Sequence, residues 1–127
     1  GASTTCTASN QDDQRYFTTG WGKYISSDED TIKSELVTSG SISAVFEVFS
    51  DFFTYESGVY SHTTGDYAGL HAVVLVGYGV DKDAGDYWVV RNSWGADFGE
   101  DGYFKIAAGM DVNGCNFEGG LTAAEVA

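Results

Sequence analysis

His71, Asn92 and Trp94 are the residues of this 127-residue chain whose types and order could do chemistry. His71 opens the apolar run HAVVLVGYGV (71–80), and Asn92 and Trp94 end the run YWVVRNSW (87–94). A neutral imidazole can take a proton from a nucleophile and return it to a leaving group, and its pKa suits that exchange near neutrality. An amide oxygen accepting from one ring N–H would fix the ring so that its other nitrogen faces the reacting group, the orienting part of a nucleophile–base–orienter set. An indole two residues further on could cover that contact and exclude water, which strengthens it. The plainer alternative for His71 is a half-buried ring hydrogen-bonded to backbone. Against it stands the neighbouring strand, which should pair with the His71 strand and deliver Asn92 near its end.

Other polar residues read more simply. His62, in YSHTTGD, is expected to be solvated in a polar loop, and Asp81 and Asp83 are turn residues. Asp97, Glu100 and Asp101 sit in a glycine-rich turn without a full calcium-loop pattern. The glycines of VGYGV read as strand bulges, not as a phosphate-binding loop. Only two cysteines occur, Cys6 and Cys115, and no Cys/His cluster has metal-ligand spacing, so neither a metal nor a cofactor is expected. Two cysteines allow one disulfide or two buried thiols.

The elements that must position His71 and Asn92 follow from pattern. Residues 1–20 are rich in Ser, Thr, Asn and Asp and read as irregular surface structure. WGKYIS (21–26) can form a short strand. SDEDTIKSELVTSG (27–40) has helix marks: Ser27 as N-cap, acids in the first turn, Ile32 and Leu36 four apart, and Gly40 past the end. ISAVFEV (42–48), the 71–80 run, YWVVRNS (87–93) and GYFKIAAG (102–109) read as strands, with DKDAGD (81–86) turning the second into the third as an antiparallel hairpin. One helix and a majority of antiparallel strands make an α+β domain spanning 1–127, with a small twisted or barrel-like sheet.

Composition agrees with a folded domain, at 43% hydrophobic and 15% aromatic residues. Nineteen acidic residues against six basic ones give a net charge of -13, a field that repels phosphate backbones and anionic headgroups, so neither nucleic acid nor membrane is an expected partner. The same charge suits an acid compartment or high salt. Gly1 reads as a processing boundary.

LHAVVLVGYG, RNSWG and GEDGYFKI resemble, in order and spacing, the histidine and asparagine motifs of the papain-like cysteine proteases. SDFFTYESGVYSHTTGD, GLHAV and CNFEGG resemble the cathepsin B group in particular. The resemblance covers roughly residues 20–120 and implies the C-terminal lobe of a two-lobe papain-like fold. It makes His71 the catalytic histidine, Asn92 its orienting asparagine, and Trp94 the shield of their contact and a wall of the leaving-group subsite. By the same resemblance Val45, Gly69, Ala72 and Gly120 line the pocket for the second residue before the scissile bond. Gly120 stands where mammalian cathepsin B has an acidic residue, which implies a roomy apolar pocket. Phe98 replaces a second tryptophan usual after NSWG, and Ser41 replaces a common proline.

The family's nucleophilic cysteine, with a glutamine before it, has no counterpart here. Cys115 matches a structural cysteine, and Cys6 one that commonly pairs back to the helical N-terminal lobe. The resemblance therefore implies a peptidase half, inactive without a Cys-bearing N-terminal lobe or chain as partner, acting on peptide or protein substrates and open to protein inhibitors. A lysosomal, vacuolar or secreted setting follows from family and cysteine use together. A reading of a different class is a non-catalytic relative kept as a binding or structural module.

Overall fold

The computed structural model of the chain describes residues 23–123. Cys6, the polar stretch 1–20 and the start of the first expected strand lie outside them. In chain order the elements are β1 (Lys23–Tyr24), α1 (Glu29–Ser39), β2 (Ile42–Phe49), a 3₁₀ turn (Ser50–Thr54), β3 (Val59–Tyr60), β4 (Tyr67–Asp81), β5 (Gly85–Arg91), β6 (Tyr103–Ala107), the single helical turn α2 (Met110–Asn113), a second 3₁₀ turn (Phe117–Gly120) and β7 (Leu121–Ala123). The strands form one sheet in the order β1-β7-β2-β4-β5-β6-β3. All neighbours are antiparallel except β3 and β6, a two-residue parallel pair that departs from the expected antiparallel sheet. The α+β class with one main helix holds.

The helix begins one residue later than its sequence suggests. Asp28, not Ser27, is the N-cap, and its Oδ2 accepts from the Thr31 backbone N–H at 3.1 Å and from the Thr31 hydroxyl at 3.0 Å. A carboxylate three residues before an amide that it can reach meets the capping geometry, and Ser27 stands one residue too early for that amide. At the other end Gly40 takes φ +85° and returns its N–H to the Leu36 carbonyl at 2.8 Å, as a glycine past a helix end should. Ile32 and Leu36 turn one face of α1 onto β2 and β4.

Strand alternation sorts the two sheet faces. Ile42, Ala44, Phe46 and Val48 of β2 are buried, while Ser43 and Val45 between them are exposed. The inward set packs with Leu75, Trp88, Val90, Phe104, Ile106 and Phe117 into one core. Outward, Val45, Leu70, Ala72 and Val74 leave an exposed apolar strip on β2 and β4. The β4–β5 hairpin forms where DKDAGD predicts it, with Asp81 Oδ1 accepting from the N–H groups of Asp83 and Ala84. A register shift between Leu75 and Gly77 is the bulge read from VGYGV, and a Cβ on Gly79 would meet the Tyr87 ring at about 2.6 Å.

Two buried side chains tie the segment after β6 to the sheet. The Glu118 carboxylate accepts from Trp88 Nε1–H at 2.7 Å, from Asn113 Nδ2–H at 2.8 Å and from the Gly109 N–H. Asn113 Nδ2 also donates to the Ala107 carbonyl, and Asn113 Oδ1 accepts from the Cys115 N–H. A buried carboxylate with three donors is a satisfied group, and it fixes the second 3₁₀ turn against β5.

Candidate active site

His71 lies in β4 directly opposite Phe46 of β2, so its ring starts from the core side of the sheet. Asn92 follows β5 and is nearly buried, its backbone N–H donating to the Gly102 carbonyl at 3.0 Å. Continuing the Val74–Arg91 pairing by three residues along both strands brings position 94 across from His71. The hairpin register thus delivers Asn92 and Trp94 to the histidine from a distance of more than 20 residues in sequence.

The contact is direct. His71 Nε2 and Asn92 Oδ1 are 2.8 Å apart, and the Ser93 backbone N–H donates to the same oxygen, also at 2.8 Å. An N–H needs an acceptor, so the Ser93 amide fixes which end of the Asn92 side chain is oxygen. A carboxamide oxygen only accepts, so His71 Nε2 carries the proton of this bond and Nδ1 of the neutral ring keeps its lone pair. Asn92 Nδ2 is buried with no hydrogen-bond partner among the described residues.

Trp94 stacks on His71 with ring centroids 4.7 Å apart and planes 27° apart. Behind the indole stands an aromatic cluster. Phe98 meets it edge-on at 5.0 Å, Phe52 edge-on at 5.6 Å, and Phe53 lies nearly parallel to it at 5.6 Å. Phe98 thus supplies a ring against Trp94 without an indole N–H. Trp94 and Phe53 remain 40% and 55% exposed, so they form an apolar shelf open to solvent beside the histidine. Phe53 is a site residue with little sign in the sequence. Its signal was the FF pair straight after an alternating strand, where one ring turns inward and the next cannot.

On the outward sheet face Val45 and Ala72 are register partners and line a groove of about 530 Å³ with Ser43, Val74, Arg91 and Asn92 among its other walls. Two more residues expected with them stand apart. Gly69 pairs with Val48 beyond His71 and is not in the groove lining. Gly120 is not in the groove lining either; it lies against the backbone of Val45, where a Cβ would run into the Val45 carbonyl oxygen.

Cys115 lies in the core with a free thiol. Burial pushes the thiol up to about 11, and the side chain that acts on it is Tyr60, not His71. Such a group is a poor nucleophile, because the thiolate is the reactive form. His62 is not the solvated loop residue expected from YSHTTGD. Its ring stacks on Phe49 at 3.7 Å, Nδ1 lies 3.2 Å from both carboxylate oxygens of Asp51, and its backbone N–H donates to the Asn113 carbonyl. The partners come from the end of β2, from the 3₁₀ turn after it and from α2, so the local polar sequence held no sign of them. Of the acids after NSWG, Glu100 is engaged by the Tyr55 hydroxyl at 3.2 Å and faces Lys105 Nζ at 3.8 Å.

Comparison with known proteins gives the family. The model of the papain family cysteine proteases matches residues 1–124. Cathepsin B-like CP3 of Giardia intestinalis is 56% identical over 91 residues, covering 72% of this chain and 30% of that protein. Cathepsin B-like cysteine proteinase 6 of Caenorhabditis elegans is 46% identical over 97 residues, covering 76% of this chain and 25% of the relative. Among solved structures, procathepsin B S9 from Trypanosoma congolense superimposes with a TM-score of 0.79 at 36% identity, over 90% of this chain and 38% of that one. The bromelain protease from Ananas comosus, solved with the E64 inhibitor, gives 0.71 at 28% identity, over 86% of this chain and 51% of its own. The chain spans about a quarter to a third of the curated relatives' length. This chain belongs to the papain family of cysteine proteases, and its relatives are cathepsin B-like.

Proposed function

We propose that residues 1–127 are the C-terminal lobe of a cathepsin B-like cysteine peptidase, in which His71 is the general base and acid, Asn92 orients it, and Trp94 shields their bond. The observation that carries this reading is the 2.8 Å contact from His71 Nε2 to an Asn92 oxygen already held by the Ser93 N–H. It leaves Nδ1 as the nitrogen for a thiol. That thiol comes from the N-terminal lobe, since Cys115 is buried and held protonated. The exposed strip of Val45, Leu70, Ala72 and Val74 is where this lobe meets its partner and, at its edge, the substrate.

In the assembled cleft the thiol proton rests on Nδ1, and imidazolium and thiolate stabilise each other as an ion pair. The sulfur attacks the scissile carbonyl carbon, and the Nδ1 proton passes to the leaving amine as the C–N bond breaks. A water then gives a proton to Nδ1 as its oxygen attacks the thioester. The C–S bond breaks, the acid product leaves, and the ion pair is restored. Throughout, Asn92 keeps the Nε2–H bond and hence the ring plane. Val45 and Ala72 face the second residue before the scissile bond across the open groove they line, so a bulky apolar residue is favoured there. Peptides and proteins are the substrates, protein inhibitors compete for the same cleft, and the setting is lysosomal, vacuolar or secreted, with Cys6 bonded to the N-terminal lobe.

The test uses the full-length two-lobe protein. It should cleave peptides with an apolar residue at that position and be alkylated at one thiol outside this chain, while His71→Ala should lower kcat/KM by at least about 100-fold. A folded full-length protein that neither cleaves peptides nor presents a reactive thiol would overturn the proposal and favour a non-catalytic binding module.

A further inference from the structure

The Ser50–Thr54 turn has to hold two adjacent rings in opposite duties. Phe52 is fully buried in the core, and Phe53 lies against Trp94 at the surface. A five-residue 3₁₀ turn has poor internal hydrogen bonding, and this one has no side-chain cap of its own. Its rigidity must come from outside.

Asp51, inside the turn, supplies the anchor. Its carboxylate accepts from the Tyr60 hydroxyl at 2.6 Å, from His62 Nδ1–H at 3.2 Å, and from the N–H groups of Thr63 and Thr64 at 2.9 and 3.2 Å. The loop that brings these donors is closed by the Ser50 N–H on the Asp66 carbonyl and by the Asp66 N–H on Ser50 Oγ. Phe49, at the end of β2, stacks on His62 and completes the clasp. Burial alone would raise the Asp51 pKa, but its four donors hold it down at about 2, so the anchor keeps its charge across the range in which an enzyme works.

The contacts continue without a gap from this clasp to the reacting centre. Asp51 fixes the turn, the turn fixes Phe53, Phe53 lies on Trp94, and Trp94 lies on His71. We infer that Asp51 is a positioning residue for the leaving-group side of the site: it holds Phe53 against Trp94 so that the two rings form one shelf for the substrate residue beyond the scissile bond. The inference rests on the reading of His71 as the base and assigns to Phe53 a part in substrate preference. Asp51 itself does not touch substrate.

The experiment compares two substrates in the full-length two-lobe protein. One is an internally quenched peptide that extends several residues past the scissile bond; the other has the same acyl part with a small fluorogenic amine as leaving group. Asp51→Ala and Phe53→Ala should each lower kcat/KM for the extended peptide by about tenfold, the scale of one lost apolar contact, and for the short substrate much less. Asp51→Asn, which keeps an acceptor, should recover part of the loss. Equal losses on both substrates, or none on either, would overturn the inference. A second readout needs no turnover: the His71 ring protons lie over Trp94, and Asp51→Ala should move their NMR resonance toward that of a free imidazole. An unmoved resonance would also overturn it. If the parent protein cleaves neither substrate, the peptidase reading fails, and the resonance alone decides whether Asp51 positions the rings.

Discussion

At the scale of single residues, the surroundings and not the residue type decide what the two histidines and the buried Cys115 of this chain can do. Cys115 should resist alkylation in the native protein and react only on unfolding, because burial disfavours its thiolate. Peptide mapping after iodoacetamide treatment, with and without denaturant, checks this; native labelling at Cys115 would mean that it is accessible. Asp51 carries a pH consequence with a definite sign. Its folded pKa, about 2, lies below the ordinary carboxylate value of 3.8 that it has in the unfolded chain. The clasp therefore contributes stability that is fully present above that ordinary value and is lost as pH falls through about 2. Urea unfolding of the parent and of Asp51→Asn between those pH values should show the gap between them closing toward the acid end. Gly120→Ala should destabilise by about 1–3 kcal/mol, since its methyl meets the backbone of Val45, and the urea midpoint measures it.

At the scale of elements, α1 offers a separable test of capping. Asp28→Ala should cost about 1 kcal/mol, and Ser27→Ala close to nothing, because only Asp28 reaches the Thr31 amide. Equal effects in denaturant titrations would place the cap elsewhere. The long elements were legible in the sequence for physical reasons. The strands β2, β4, β5 and β6 announce themselves by β-branched and aromatic runs bounded by turn residues, and α1 by acids before an Ile32–Leu36 pair. The His71–Asn92 contact was legible too, because a tight hairpin couples two runs that lie close in sequence. Illegible were features whose partners arrive from afar. The parallel pairing of two-residue β3 with β6, and the enclosure of His62 by Phe49, Asp51 and Asn113, depend on residues tens of positions away or across the core. Phe53 shows the same limit, since an exposed ring beside a buried one reads as surface until the fold sets Trp94 over it.

At the scale of the whole molecule, the chain is a papain-family fold whose outward sheet face carries apolar side chains that a soluble surface would not choose. On the proposed reading, the 127 residues by themselves should show no peptidase activity, and a protein purified as this chain alone checks that directly. Its charge of -13 opposes self-association by that face, so added salt, which screens the repulsion, should raise its apparent mass in light scattering.

The close approach of Gly120 to Val45 has a consequence for how such a molecule can diversify. A pocket wall built from side chains can be retuned by exchanging one residue, but here two stretches of main chain meet face to face. Position 120 cannot be changed on its own. An acidic group placed there would have to push β2 and the Phe117–Gly120 turn apart before it could greet a basic ligand. A relative with an acidic residue at the matching position must hold those two stretches of main chain further apart, so that a new preference at that wall comes with a moved backbone.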